Sequence, residues 1–250
     1  MVQSGDSRLV INEDFLGGTE VAVASTTAPP INWPPFLTFV GQGIADTDSG
    51  AVMLDSDGMN GVVQLTTTNE DVHCAGFQTP VMFDVALNGT IVMEVRCRQA
   101  ALNTGEVFIG FSDVATDLAI IEGAICHGDT VTVTLTASDI VGFLMASDLT
   151  DNSDWHGVYN GGTTTGETTS TDVDFDAGAT AGEYQVLRLE LFPNGTVEWW
   201  VDGVLEQTVT GAVSTSVDLC MNVLVESKTT AVKTLDVDYI RVWANRDWTV

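Results

Sequence analysis

Four cysteines and three histidines are the side chains with the chemistry to hold a metal or attack a substrate. Cys74, Cys97, Cys126 and Cys220 fit no metal or redox spacing. His73-Cys74 and Cys126-His127 pair suitable zinc ligands. However, neighbours on a strand point to opposite faces, so each pair offers one ligand at most. The segment Met1 to Asn12 is polar and has no apolar leader core, so buried, reduced thiols are expected. No Gly-x-Ser-x-Gly elbow occurs, and no serine or cysteine context marks a histidine for nucleophilic catalysis. His156 follows Trp155 in an acidic stretch and reads as an exposed loop residue.

Carboxylates are far more numerous. Asp172, Asp174 and Asp176 would share one face of a strand, with Val173 and Phe175 opposite. Same-face residues stand about 6.6 Å apart along a strand, whereas calcium takes oxygens at about 2.3–2.6 Å. A straight strand therefore converges them poorly. The loop Asp148 to Asp154 can curl and suits calcium better, but it lacks the Gly and closing Glu of an EF-hand. No metal site and no cofactor is assigned. Aromatic residues give the remaining candidates. Trp200 falls on the polar parity of its strand beside Glu198 and Asp202, and Trp155 falls in a polar loop. Exposed indoles stack on the apolar faces of sugars, and flanking carboxylates bind hydroxyls. Trp155, Trp200, Glu198 and Asp202 are thus candidates for binding a glycan or a partner. For Trp200, covering the second sheet's edge or filling the concave face is the competing role.

The elements that must position these residues are strands. Valine and threonine are abundant, apolar residues recur with period two, and Gly, Asn and Asp break the chain at short intervals. Leu187, Leu189 and Leu191 share one strand face. Pro193-Asn194-Gly195 forms a turn, and Val197, Trp199 and Val201 then face inward, with Glu198, Trp200 and Asp202 outward. Asp202-Gly203 is a two-residue hairpin signal, followed by a third strand, Val204 to Val209. Further strands are expected at 61–67, 90–98, 106–112, 130–136, 140–146, 219–226 and 234–243. In the last, Leu235 and Val237 face in, but Ile240 and Val242 switch parity, which predicts a bulge or a strand end covered on both faces. Residues 163–171 read as a loop or exposed edge. The pattern is that of an all-β sandwich or barrel.

The 250-residue chain has 35 acidic and 8 basic residues, a formal net charge of −27. Such a chain repels phosphate backbones and anionic membrane surfaces, so neither nucleic acid nor membrane is an expected partner. With 44% hydrophobic residues it is not disordered. Only two lysines occur, Lys228 and Lys233.

Several phrases converge in order along the chain: Asn12-Glu13-Asp14-Phe15-Leu16-Gly17-Gly18, then Val107-Phe108-Ile109-Gly110-Phe111-Ser112, then Ile140-Val141-Gly142-Phe143. They are followed by Leu187-Arg188-Leu189-Glu190, Gly195 to Val204, and the closing Asp236-Val237-Asp238-Tyr239-Ile240-Arg241-Val242. The set resembles concanavalin A-like (lectin/glucanase) jelly-roll domains, in the version found in virion proteins of tailed bacteriophages. The resemblance implies an all-β sandwich of two antiparallel sheets, one concave. It implies a single domain, here residues 13–250; the polar residues 1–12 before it read as a flexible arm. Enzymes of this fold that cut β-glucans carry a Glu-x-Asp-x-x-Glu strand, whose first and last glutamates act as nucleophile and acid/base in a retaining mechanism. No such strand is present. Glu13-Asp14 and Glu70-Asp71 are adjacent pairs facing apart, and Asp236 and Asp238 lack a glutamate partner.

The expected function is a non-enzymatic virion structural protein, made in the host cytoplasm. Its most specific form is a capsid decoration (cement) protein on the outer surface of a tailed-virus head. Its partners would be the major capsid protein or other virion proteins, and copies of itself, for example as a trimer. The rival expectation is a glycan-binding module of a tail fibre or adhesin.

Overall fold

Period-two burial is realised over most of the chain. The computed structural model describes residues 8–15, 21–22, 31–33, 37–40, 50–53, 61–115, 121–228 and 230–246. In chain order the strands are β1 (Arg8–Glu13), β2 (Val21–Ala22), β3 (Ile31–Trp33), β4 (Leu37–Val40), β5 (Gly50–Met53), β6 (Val63–Thr66), β7 (Cys74–Gln78), β8 (Phe83–Asp84), β9 (Ile91–Gln99) and β10 (Gly105–Ser112). They continue as β11 (Cys126–Asp129), β12 (Thr132–Leu135), β13 (Ile140–Ala146), β14 (Asp154–Asn160), β15 (Asp174–Gly178), β16 (Gln185–Leu191), β17 (Val197–Val201), β18 (Val204–Val209), β19 (Asp218–Ser227) and β20 (Thr234–Asn245). A π-helical turn, Ile121–Ile125, and one turn of helix, α1 (Ser170–Val173), interrupt them.

Two nine-stranded antiparallel sheets result. The first runs β18-β17-β16-β9-β20-β6-β5-β2, with β1 also on β20. The second runs β15-β14-β13-β10-β19-β7-β4-β3, with β8 also on β19. Their inner faces interdigitate: Met93, Val95, Leu189 and Val242 of the first sheet share a core with Ile109, Phe111, Phe143 and Val223 of the second. Trp199 ties the layers together, because its buried indole N–H donates to the Gly142 carbonyl at 2.9 Å. The 16–17–18 meander and the bulge in β20 match the sequence expectation. The β20–β9 register slips between Val237 and Tyr239, and this lets Ile240 regain the core.

The central strands of the second sheet, β7, β10, β13, β14 and β19, are buried on both faces. Ile121, Ile125, Cys126, Val133, Ala137 and Leu149 pack on the sheet's outer side against Phe108, Leu144, Val158 and Leu224. That cap is the π-helical turn and the separate β11–β12 hairpin. Strands wrapped this way carry continuous apolar runs: all seven residues of β13 are buried.

Three local expectations are corrected. Residues 8–12 lie within the polar stretch read as an arm, yet they belong to the strand Arg8–Glu13, zipped to β20 from Asn245 to Ile240, with Ile11 in the core. Of the opening phrase, residues 16–18 lie outside the described residues; Phe15 is buried and stacks on Phe77, ring centroids 5.6 Å apart. The triplet Asp172, Asp174, Asp176 does not share a strand face, because α1 takes residues 170–173 and β15 begins at Asp174. His156 is not a loop residue. It stands on β14 with 0% exposure, and burial lowers its pKa.

Candidate functional site

Two carboxylate-bearing regions stand out, one sealed and one open. The sealed one lies under the cap. Glu106 on β10 and Glu226 on β19 are direct cross-strand partners, and both are fully buried. Side chains so paired have Cβ atoms about 4.5–5.5 Å apart. Glu226 accepts the backbone N–H of Ile121 at 2.5 Å and of Glu122 at 3.1 Å, and Glu106 accepts that of Gly128 at 3.1 Å. The two carboxylates thus pin both parts of the cap to the sheet. Lys228 Nζ lies 3.7 Å from Glu106, pairs with Glu122, and is 3.9 Å from Asp148. Burial pushes Glu106 up to about 8 and Glu226 up to about 7. Burial works against the Lys228 ammonium, but the surrounding carboxylates outweigh it and hold its pKa above the ordinary value.

Sequence reasoning missed this cluster. Its one local signal is a glutamate inside or abutting an apolar run, as in Leu224-Val225-Glu226. Asp148, the first residue of the proposed calcium loop, faces Lys228. Among the described residues, no group of three or more His, Cys, Asp or Glu side chains could hold a metal ion. All four cysteines are free and buried.

The open region is the outer face of the first sheet. Both lysines are buried, so the basic surface of the chain is arginine alone. Of the six arginines (eight basic residues less Lys228 and Lys233), five stand on the outer parity of this sheet: Arg8, Arg96, Arg98, Arg188 and Arg241. They are knitted to acids and rings. Arg96 pairs with Asp238, Arg98 Nε meets Asp236 Oδ2 at 2.7 Å, and Arg188 pairs with Glu190. Arg96 and Arg98 lie over Tyr184, 4.1 and 4.8 Å from the ring centroid, and Arg188 lies over Trp243 at 5.6 Å. Tyr239 donates to Glu94 Oε1 at 2.9 Å; burial and that bond push its hydroxyl up to about 12.

Trp200 belongs to this face. With Glu94, Val186, Arg188, Glu190 and Gly203 it lines a pocket of about 270 Å³. The register explains the grouping, because Arg188 of β16 sits directly between Glu94 of β9 and Trp200 of β17. The other sequence candidates go elsewhere. Glu198 lines a separate depression with Phe192, Pro193, Asn194 and Thr196. Asp202 takes a left-handed φ of 50° in the β17–β18 turn, and its Oδ1 accepts the Val186 N–H at 2.8 Å, so it holds the turn. Trp155 is withdrawn as a candidate. It lies on β14 rather than in a loop, is 1% exposed, and packs edge-on to Phe143 while donating to Gln185 at 3.0 Å. Its neighbours Asp154 and His156 made the stretch look polar, but strand alternation turns the indole inward.

No protein-family model and no curated protein sequence matches the chain. Solved structures do. A protein of unknown function from Shewanella oneidensis MR-1 matches over 100% of this chain and 92% of its own, with TM-score 0.64 and 12% identity. Peanut lectin matches over 96% and 98%, with TM-score 0.56 and 11% identity. The β-glucanase of Bacillus licheniformis matches over 96% and 99%, with TM-score 0.51 and 16% identity. The fold is the concanavalin A-like jelly roll. This likeness carries the architecture alone. Among the described residues, no helix is long and apolar enough to cross a membrane.

Proposed function

We propose that this chain is a non-enzymatic structural protein of a tailed-virus particle, and in its most specific form a decoration protein on the outer capsid surface. The observation that carries the reading is where the charge lies. The Glu106–Glu226 pair is sealed at 0% exposure, out of reach of any substrate, and of the half-buried pair Glu190–Glu198 on the other sheet, Glu190 is held by Arg188. The other acids of the meander and of β20 pair with arginines or face solvent. The −27 is then a solvent skin, suited to the outside of a particle filled with DNA. The phrase-by-phrase resemblance to virion jelly rolls supports the same reading. Many copies in a symmetric array would hold by multivalency, with modest contacts per copy.

Copy number per virion, measured by quantitative mass spectrometry of purified particles, tests this. Hundreds of copies, with stoichiometric rebinding to stripped heads, are expected. Immunogold label confined to tails would refute the capsid assignment, and turnover of any β-glucan would refute the non-enzymatic one. A second reading, a glycan-binding module of a tail fibre or adhesin, is favoured by one observation: the pocket at Trp200 is open on a sheet face.

A further inference from the structure

Two residues that line the Trp200 pocket carry donors that the protein leaves unused. Trp200 Nε1 and Arg188 Nε are both buried without a hydrogen-bond partner. Buried donors are almost always satisfied, so two on neighbouring residues of one small pocket point to an acceptor from outside. The acceptors in the same pocket are held in place. Tyr239 fixes Glu94 and Arg188 fixes Glu190. The pocket thus alternates donors and carboxylates across three adjacent strands, with an indole as one wall.

We propose that this pocket binds one neutral, hydroxyl-rich ring, a hexose-type residue of an uncharged glycan. A hydroxyl both accepts and donates, so neighbouring hydroxyls can accept from Trp200 and Arg188 and donate to Glu94 and Glu190. The two carboxylates disfavour an acidic sugar. At about 270 Å³ the pocket falls just below the usual range for ligand sites, which suits a single ring rather than an extended chain. Arg188 stays paired and its Nε becomes satisfied only when the site is filled, so the arginine positions the ligand without neutralising it. The inference rests on the glycan-binding reading and assigns that reading its site and sugar class.

The test is a glycan array carrying neutral and acidic oligosaccharides, probed with the whole chain, followed by titration calorimetry on the best binder. Neutral glycans should bind, and Trp200→Ala should weaken binding at least tenfold. Trp200→Phe keeps a ring wall but removes the donor, so a smaller, several-fold loss is expected with thermal stability unchanged. It also serves if the alanine variant fails to fold. Glu198→Gln, in the separate depression, should stay within twofold of the native affinity. No binding to any glycan would overturn the glycan reading as a whole. Binding that Trp200→Phe leaves unchanged, or that Glu198→Gln abolishes, would overturn this site while leaving the reading intact. Binding confined to acidic glycans would overturn the sugar class.

Discussion

Raising the pH should loosen the cap over the second sheet, and Glu106 with Glu226 should be the cause. An ordinary glutamate in the unfolded chain titrates near 4.5, against about 8 for Glu106 and about 7 for Glu226 in the folded protein. A carboxyl whose pKa is raised by folding contributes stability that is complete below pH 4.5. That contribution is lost as the pH rises through 7 to 8. One pKa unit is about 1.4 kcal/mol, so the two shifts taken singly correspond to roughly 5 and roughly 3 kcal/mol. The carboxylates face each other and titrate as a coupled pair, so the shifts do not add, and about 3–5 kcal/mol for the pair is the working figure. Against a domain stability of about 5–15 kcal/mol this is a large fraction.

The variant Glu106→Gln/Glu226→Gln keeps a carbonyl to accept the N–H groups of Ile121, Glu122 and Gly128 but has nothing to titrate. Urea unfolding at pH 5, 6.5 and 8.5 should show the native midpoint falling relative to the variant by roughly 1 M or more, taking a slope near 3 kcal/mol/M. The general repulsion among surface acids is common to both proteins and cancels. Hydrogen exchange corrected for intrinsic rates should speed up at Ile121, Glu122 and Gly128 in the native protein alone. Native and variant midpoints that run parallel across this range would refute the reasoning.

Other substitutions separate packing from binding. Trp155→Ala empties a fully enclosed site and should cost about 3–5 kcal/mol, lowering the melting temperature by roughly 10 °C in calorimetry. Asp202→Ala loses the acceptor for Val186 N–H and a residue tolerant of left-handed φ. It should cost about 1–2 kcal/mol in urea unfolding. Gly110→Ala, opposite Gly142 in the β10–β13 register, would bring a methyl to 2.5 Å from the Gly142 Cα and into the Val141 carbonyl. A shift of two central strands should cost at least about 1–3 kcal/mol, seen as a lower yield of folded protein and a lower midpoint.

Much of the sandwich was legible because a half-buried strand writes its faces into alternate residues. Leu187, Leu189 and Leu191, then Val197, Trp199 and Val201, announce the buried side of the meander, and Asp202-Gly203 announces its turn. The parity switch after Asp238 announced the bulge. Trp200 was placed on the outer face by the same rule. The rule failed where both faces of a strand are covered. On β14, Trp155 packs into the sandwich and His156 is buried on the opposite face of the strand, so neither was exposed although the stretch read as a polar loop. Arg8–Glu13 also escaped, because only pairing with β20, which turns Ile11 into the core and Arg8 and Asn12 outward, makes it a strand.

The sequence by itself determined an acidic all-β chain, its main strands and the absence of a Glu-x-Asp-x-x-Glu strand, because these depend on residue types and short-range spacing. Only the tertiary structure decided that Glu106 meets Glu226 beneath a cap, and that Trp200 shares a pocket with Glu94 and Arg188 rather than with Glu198 and Asp202. Antiparallel register joins residues far apart in the chain and parts residues two positions apart into separate hollows. No local pattern carries that information.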